Sequence, residues 1–147
     1  MTRLTEAKED PIELSILQRV NFKLRIKAVW KNDIKGYYSK AAGKYLKNKN
    51  PYIRTGISDI SFLYKWQFVC IEVKRPSEMK HFMKPMAELR LGLAKAIMLN
   101  PKGGERWKHA IDQQIFLRDI REGGGIAFFA CSADMVKDKL MLQWFKF

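Results

Sequence analysis

The sequence has few cysteines, few acidic residues and no long apolar run. Two cysteines, Cys70 and Cys131, occur in 147 residues. Two are too few for a disulfide framework or a zinc cluster, so we expect both thiols to be reduced and to pack in the core. No apolar stretch approaches the about 18 residues that span a bilayer, and the N-terminal residues lack the apolar centre of a secretory signal. We therefore expect a protein that is cytoplasmic, in a bacterium or a virus-infected host cell, and not secreted.

Acidic residues are strongly outnumbered: the chain has 28 Lys and Arg against 15 Asp and Glu, a formal net charge of +13. The excess is concentrated in two segments. Residues 19–54 contain 11 basic residues and one acid, and residues 75–108 contain eight basic residues and three acids. A field this positive attracts polyanions, of which nucleic acid is the commonest and an anionic membrane surface the second. A solvated basic face without a partner is the alternative.

The length and the hydrophobic fraction of 47% suit one globular domain over residues 1–147. Alternating and helical apolar patterns predict an α/β or α+β fold with helices packed on a sheet. The predicted helices cover residues 10–26, 84–98, 108–121 and 132–144, with Asp10 and Ser132 as caps of the first and last. The predicted strands cover residues 28–30, 57–64, 67–74 and 126–131. Residues 31–54 resemble a long basic loop or a ragged hairpin.

Two predicted strands bring a pair of carboxylates together. A tight turn at residues 65–66 places Asp59 directly opposite Glu72. Opposed carboxylates repel each other, and a cation between them removes the conflict. Magnesium suits such a site because it takes few carboxylates and keeps several waters. Lys74 adds a positive charge on the same strand face as Glu72. An exposed ladder of ion pairs is the alternative interpretation of these three residues.

Three segments in order resemble the signature of the VRR-NUC family, the virus-type replication-repair nucleases of the PD-(D/E)XK superfamily. They are residues 56–59 (GISD), 71–76 (IEVKRP) and 113–117 (QQIFL). The resemblance implies a restriction-endonuclease-like core, in which helices flank a mixed four-stranded sheet, with residues 77–108 as a helical insertion. It further implies Mg²⁺-dependent hydrolysis of phosphodiester bonds in branched or junction DNA, with Mn²⁺ as a substitute ion.

The resemblance also implies roles for single residues. Asp59 and Glu72 would bind the metal, and Val73 would offer its backbone carbonyl. Lys74 and Gln113 would complete the catalytic set. Gln113 also heads the apolar stripe of its predicted helix, so it should face the sheet. A buried amide needs a polar partner there, which is either the metal site or the backbone.

A glutamate of the first helix is the last site residue that the resemblance implies. Glu13 lies on the apolar stripe of that predicted helix and can point toward the core. Asp10 and Glu13 also nearly match a capping box, in which Glu13 bonds back to the Asp10 amide. Glu13 is therefore either a catalytic residue or part of a cap, and Glu9 is the fallback candidate for the site.

The basic segments form the predicted nucleic-acid interface. Aromatic residues, Trp30 among them, interleave with lysines over residues 30–54, a pattern that suits base stacking together with phosphate binding. Core packing explains Trp30 equally well. The predicted contact residues are Lys31, Lys35, Lys40, Lys44, Lys47, Lys49, Arg54 and Arg75.

These features predict a metal-dependent, structure-selective DNA nuclease that acts without a membrane partner. A non-catalytic basic nucleic-acid-binding module is the alternative, and a basic adaptor for an acidic partner protein is a third interpretation. Apolar residues crowd the C-terminal end and favour a homodimer, although docking of the last helix on its own sheet explains them nearly as well. They are Met141, Leu142, Trp144, Phe145 and Phe147.

Overall fold

The protein is an α/β structure built around a four-stranded mixed sheet. The computed structural model describes residues 9–32, 37–46 and 58–144, and these residues form five α-helices and six strands. The helices are α1 (Glu9–Gln18), α2 (Pro76–Phe82), α3 (Met86–Leu99), α4 (Glu105–Glu122) and α5 (Ala133–Trp144). The strands are β1 (Val29–Lys31), β2 (Tyr37–Ser39), β3 (Lys44–Leu46), β4 (Ile60–Tyr64), β5 (Gln67–Val73) and β6 (Ile126–Ala130).

The main sheet has the strand order β1-β4-β5-β6. The pairs β1–β4 and β4–β5 are antiparallel, whereas β5 and β6 pair in parallel. A parallel pair needs a crossover connection, and α2, α3 and α4 lie in that connection between β5 and β6. Strands β2 and β3 form a separate two-stranded sheet within the basic segment.

One face of the main sheet, called here the α1 face, is covered by α1 and α5. Alternate residues of each strand point to one face, so half of every strand contributes to this core. The strand side chains in it are Ile60, Phe62, Val69, Ile71, Val73, Ile126, Phe128 and Ala130. Ile16 and Val20, from α1 and the π-helical segment Arg19–Lys23 that continues it, pack on them, and so do Val136 and Leu140 of α5.

The opposite face, called here the α4 face, is only partly covered. Cys70, Ala127 and Phe129 of β5 and β6 pack against α2, α3 and α4 through a second apolar cluster. Over β1 and β4, the same face keeps Trp30 and Leu63 exposed. The sheet therefore has one face covered by α1 and α5 and one face that is open on the β1–β4 side.

Most of the predicted elements are confirmed, including the β4–β5 hairpin with its turn at Lys65 and Trp66. The cap of the last helix is confirmed as well, because the Met135 N–H donates to Ser132 Oγ at 3.1 Å. Asp10, the predicted first cap, lies instead inside α1, which already includes Glu9. The helical path also ends in a π-helical turn rather than continuing as an α-helix to residue 26.

Other differences lie between the hairpin and α4. Helix α2 was not predicted from the sequence. It begins at Pro76, directly after the extended residue Arg75. Proline is favoured in the first turn of a helix because its missing N–H needs no partner there. α4 begins at Glu105, before the predicted residue 108. The ragged hairpin predicted for the basic segment corresponds to β2 and β3.

The structure also bears on the expected state of the cysteines and on the expected lack of a membrane-spanning helix. Both cysteines are free, but only Cys70 is buried, whereas Cys131 is partly exposed. Among residues 9–32, 37–46 and 58–144, no helix combines the length and the apolarity that crossing a bilayer requires.

The turn between β4 and β5 can be stabilised. Lys65 and Trp66 have φ angles of 48° and 69°, which correspond to a type I′ turn, where Asn-Gly is the preferred pair. Replacing them by Lys65→Asn and Trp66→Gly should raise the melting temperature by about 2–4 °C, because left-handed backbone strains most L-residues. Lys102→Asn, in an exposed turn without positive φ, is the control and should leave the melting temperature unchanged. A lower melting temperature of the double variant would contradict this interpretation.

Candidate active site

The candidate site lies where β5 ends, at the end of the hairpin opposite its turn. The register pairs Ile60 with Ile71, so the next pair along the two strands is Asp59 and Glu72, as predicted. Asp59 directly precedes β4, and its Oδ2 accepts the Val73 N–H at 2.7 Å. This bond fixes the Asp59 carboxylate against the end of β5, on the α4 face.

Glu72 is almost completely enclosed, with 2% of its surface exposed. Its Oε1 lies 3.2 Å from the Lys74 ammonium. Lys74 itself is 4% exposed and lies over the Phe82 ring, with its Nζ 4.1 Å from the ring centroid. The carboxylate and the ammonium are therefore a buried ion pair rather than part of an exposed ladder, and the ring of α2 closes over the cation.

Gln113 joins this pair from α4. Its Nε2 donates a hydrogen bond to Glu72 Oε1, and the side chain is buried. The apolar residues Phe116 and Leu117 follow it at helical spacing and pack on the sheet, so the same stripe that buries α4 directs the amide to Glu72. The predicted position of Gln113 on the sheet side of its helix is thus confirmed, and its partner is a side chain rather than the backbone.

The charges at the site do not balance. Asp59 and Glu72 carry two carboxylates, and Lys74 supplies one ammonium. Burial raises the pKa of Glu72 well above its ordinary value, and the nearby Asp59 carboxylate raises it further, while Lys74 opposes both effects. The ionised cluster would keep one negative charge in excess, which is the condition that attracts a further cation.

Two oxygens of the cluster favour such a cation. When both carboxyls are ionised, Glu72 Oε2 and Gln113 Oε1 are buried and accept no hydrogen bond from the described residues. The Val73 carbonyl is a third oxygen, because the N–H and C=O of a strand residue point to the same edge and the Val73 N–H points to Asp59. No group of three or more His, Cys, Asp or Glu side chains that could hold a metal occurs in the described ranges. A metal here would therefore use two carboxylates and neutral oxygens, a set that fits Mg²⁺ with its retained waters.

Asn32 is a residue of this region that sequence reasoning missed. Its backbone N–H donates to the Asp59 carbonyl at 2.7 Å, and its Nδ2 donates to Ser58 O at 2.9 Å and to Ser61 Oγ at 2.7 Å. These bonds tie β1 to the segment that presents Asp59. No local pattern marks these bonds of Asn32 in the sequence, because Ser58, Asp59 and Ser61 lie more than twenty residues away.

Glu13 is placed apart from the cluster. α1 covers the other face of the sheet, and Glu13 forms an ion pair of 2.7 Å with Lys31 of β1. Glu9, the fallback candidate, is closer to the site. Burial raises the pKa of Glu9, Lys74 lowers it, and the neighbouring carboxylates of Glu78 and Asp59 raise it. The structure thus brings together Asp59, Glu72, Val73, Lys74 and Gln113, with Glu9 at the margin.

His109, which has no partner at metal-ligand or base spacing in the sequence, is an exposed residue of α4 near the site. It precedes Gln113 by one helical turn of α4, and its ring packs edge-on against Phe82 at 5.9 Å. Burial lowers the pKa of His109, the Lys74 charge lowers it further, and Asp59 is among the carboxylates that oppose this. The spacing of four residues from Gln113 is the one signal that could have indicated it.

Among the described residues, those predicted to bind nucleic acid lie in different elements of the fold. Lys31 pairs with Glu13, and Arg75 pairs with Glu78 at 3.2 Å, next to the site. Lys40 lies exposed in the turn between β2 and β3. Lys44 begins β3. The remaining predicted residues lie outside the described part of the chain; they are Lys35, Lys47, Lys49 and Arg54.

Comparisons with known proteins identify no relative of this chain. No protein-family model, no curated protein and no solved structure matches the chain. The resemblance to the VRR-NUC nucleases and the restriction-endonuclease-like core stay predictions from the sequence.

From the raised pKa of Glu72 we predict how the free energy of unfolding changes with pH. A carboxyl whose pKa is higher in the folded state stabilises the fold at low pH and loses this contribution as pH rises above its unfolded value of about 4.5. In EDTA, Glu72→Gln should therefore gain stability relative to the wild type between pH 4.5 and pH 8, as measured by urea unfolding. Glu88→Gln, an exposed carboxylate on α3, is the control and should follow the wild-type profile. Parallel profiles of Glu72→Gln and wild type would contradict the prediction.

Proposed function

We propose that the protein is a Mg²⁺-dependent, structure-selective DNA nuclease that hydrolyses phosphodiester bonds in branched or junction DNA, on a restriction-endonuclease-like core. The main support for this proposal is that Glu72 Oε2 and Gln113 Oε1 are buried beside the Asp59 carboxylate and have no hydrogen-bond partner among the described residues. A buried polar atom without a partner costs about 1–3 kcal/mol. A divalent cation with its waters would satisfy both oxygens and neutralise the excess charge, and Mn²⁺ would substitute for Mg²⁺.

Each residue of the cluster has a distinct role in this proposal. Asp59, Glu72 and the Val73 carbonyl would hold the ion, which would supply Lewis acidity at a phosphate oxygen and activate water. Lys74 would stabilise the negative charge that develops on the phosphate. Gln113 would keep Glu72 in one orientation through its hydrogen bond.

The charge distribution supports DNA as the partner. Residues 19–54 and residues 75–108 hold most of the excess of basic residues. One residue of each segment borders the site, since Asn32 bonds to the Asp59 carbonyl and Phe82 of α2 lies beside Lys74. Binding of phosphates by such segments is independent of base sequence, which suits recognition by shape. A non-catalytic nucleic-acid-binding module has the same charges and is the alternative.

Two further features belong to the proposal. Met141 and Leu142 of α5 are 49% and 64% exposed, and an exposed apolar surface of this kind supports a homodimer, which would offer two sites for paired cuts in symmetric DNA. A cytoplasmic location is the environment in which such a nuclease would meet DNA.

Substitutions at the cluster test the catalytic part. Asp59→Asn and Lys74→Met should each lower the rate of cleavage of labelled flap and four-way-junction DNA by about 10²–10³-fold, since the first weakens the binding of the metal ion and the second removes a positive charge that stabilises the reacting phosphate. EDTA should stop cleavage by the wild type. Asp138→Asn is the matched control, because this carboxylate is exposed on α5, on the other side of the sheet. Circular dichroism reports whether each variant is folded.

The outcomes separate the two functions. A folded Asp59→Asn protein that cuts at the wild-type rate would show that the site is wrong. Wild-type protein that binds the same DNA and never cuts it with Mg²⁺ or Mn²⁺ would support the non-catalytic module instead.

A separate prediction concerns DNA binding by the basic segment of residues 19–54. Replacing Lys44, Lys47 and Lys49 with Gln should weaken DNA binding and lower the slope of log K against log salt by about one unit for each phosphate that the variant no longer binds. The comparison variant replaces Lys95, Lys102 and Lys108 of the second basic segment with Gln. Fluorescence anisotropy over a series of salt concentrations gives both slopes. An unchanged slope in the first variant would move the DNA-binding surface to residues 75–108.

A further inference from the structure

The open part of the α4 face continues directly from the candidate site. Paired residues of neighbouring strands point to the same face, so the registers arrange this face in rows. Asn32, Asp59 and Glu72 form the first row. Trp30, Ser61 and Cys70 form the second row. Because successive rows are two residues apart, Trp30 lies about 7 Å along the sheet from the row of carboxylates.

A large aromatic surface is exposed on these rows. Trp30 is 42% exposed, and Phe68, one row further along β5, is 37% exposed. Their ring centroids are 6.2 Å apart and their planes differ by 33°, so the Trp30 side chain reaches diagonally over β4. Leu63, which pairs with Phe68, is 54% exposed beside them. Together Trp30, Leu63 and Phe68 are called here the aromatic platform.

The platform is held in place by the same residue that holds the site. Trp30 Nε1 donates to Asn32 Oδ1 at 2.9 Å. Through its amide and backbone nitrogens, Asn32 also binds Ser61 and the carbonyls of Ser58 and Asp59. The indole ring and the Asp59 segment therefore have a common support, and the position of one is fixed relative to the other.

The surroundings indicate what would cover this surface. β1, which carries Trp30, lies in the segment of residues 19–54 with 11 basic residues and one acid. An apolar protein surface would have to lie within this positive field, whereas a nucleic-acid strand matches it with phosphates and offers aromatic bases to the rings. Bases inside a duplex are stacked on each other and paired, so only unpaired bases can stack on a flat exposed ring.

We propose that the aromatic platform stacks unpaired bases of the strand whose phosphate would contact the metal ion held by Asp59 and Glu72, so that the protein selects DNA with a single-stranded stretch next to the site of cleavage. This inference rests on the proposed nuclease function and names its substrate class. From Glu72 to Phe68 the strand β5 runs about 13 Å, the length of about four nucleotides at a stacked rise of about 3.4 Å. A flap, a gap or a splayed arm provides such a stretch, and a fully paired blunt duplex does not.

Binding without cleavage tests the platform. In EDTA, fluorescence anisotropy of a labelled oligothymidylate and of a blunt duplex of equal length is measured with the full chain. Trp30→Leu should weaken single-strand binding by about tenfold, with the duplex affinity changed by less than about twofold. The salt dependence should stay as in the wild type, because stacking releases no counterions. Trp30→Phe keeps an aromatic ring and should retain most of the affinity.

Two further variants keep the test decisive. Phe68→Leu should show the same selective loss of single-strand binding, and it replaces Trp30→Leu if that protein does not fold. Trp66→Leu is the matched control, because Trp66 is fully exposed in the hairpin turn and lies outside the platform. An equal loss in Trp66→Leu, an equal loss on single strand and duplex, or wild-type binding by Trp30→Leu would each overturn the platform.

The result also separates the platform from the nuclease. Selective loss of single-strand binding in Trp30→Leu, together with no cleavage by the wild type in Mg²⁺, would support the platform and overturn the nuclease. Cleavage by the wild type with no effect of Trp30→Leu on single-strand binding would support the nuclease and overturn the platform. No binding of oligothymidylate by the wild type would overturn the platform and favour a protein partner on this face.

Discussion

The enclosed Glu72 carboxylate is the group on which the arrangement of the site depends. Removing a carboxylate from water costs several kcal/mol, and Lys74 and Gln113 offset part of this cost through their contacts with Glu72 Oε1. Each partner comes from an element that must be positioned for this purpose. β5 must end beside Asp59, α2 must place Phe82 over Lys74, and α4 must turn Gln113 toward the sheet. Satisfying one buried charge therefore constrains a strand and two helices.

The two faces of the sheet contribute differently to the protein. The α1 face is covered with apolar side chains from α1 and α5, so it stabilises the fold by removing apolar surface from water. Among the described residues, the α4 face has its apolar cluster over β5 and β6, carries the ionisable residues at one end, and exposes the rings of Trp30 and Phe68. This difference lets the hairpin keep polar and uncovered groups on one side, because the other side supplies the stability.

Local periodicity explains which parts of the site were predictable. The alternation of strand residues and a two-residue turn determine the register, so Asp59 opposite Glu72 follows from the sequence. The helical stripe likewise indicates that Gln113 faces the sheet.

Other parts of the site depend on where whole elements pack. Glu13 lies on an apolar stripe as predicted, but a stripe does not reveal which face of the sheet a helix covers, and α1 covers the face away from Asp59. Asn32 was missed for a related reason: its bonds to Ser58, Asp59 and Ser61 form only when β1 pairs with β4.

In the proposed nuclease, the charges around the site couple the binding of the divalent cation to the binding of DNA. The cluster of Asp59, Glu72 and Lys74 carries one excess negative charge when ionised, but it lies in a chain of net charge +13. At physiological ionic strength the Debye length is about 8 Å, so basic residues at the margin of the site still repel a divalent cation. DNA phosphates bound by those residues would neutralise them and remove the repulsion. In this proposal the metal binds more tightly when DNA is present, and by linkage DNA binds more tightly when the metal is present. A basic surface around a weakly acidic site thus favours joint binding of both ligands over tight binding of the metal alone.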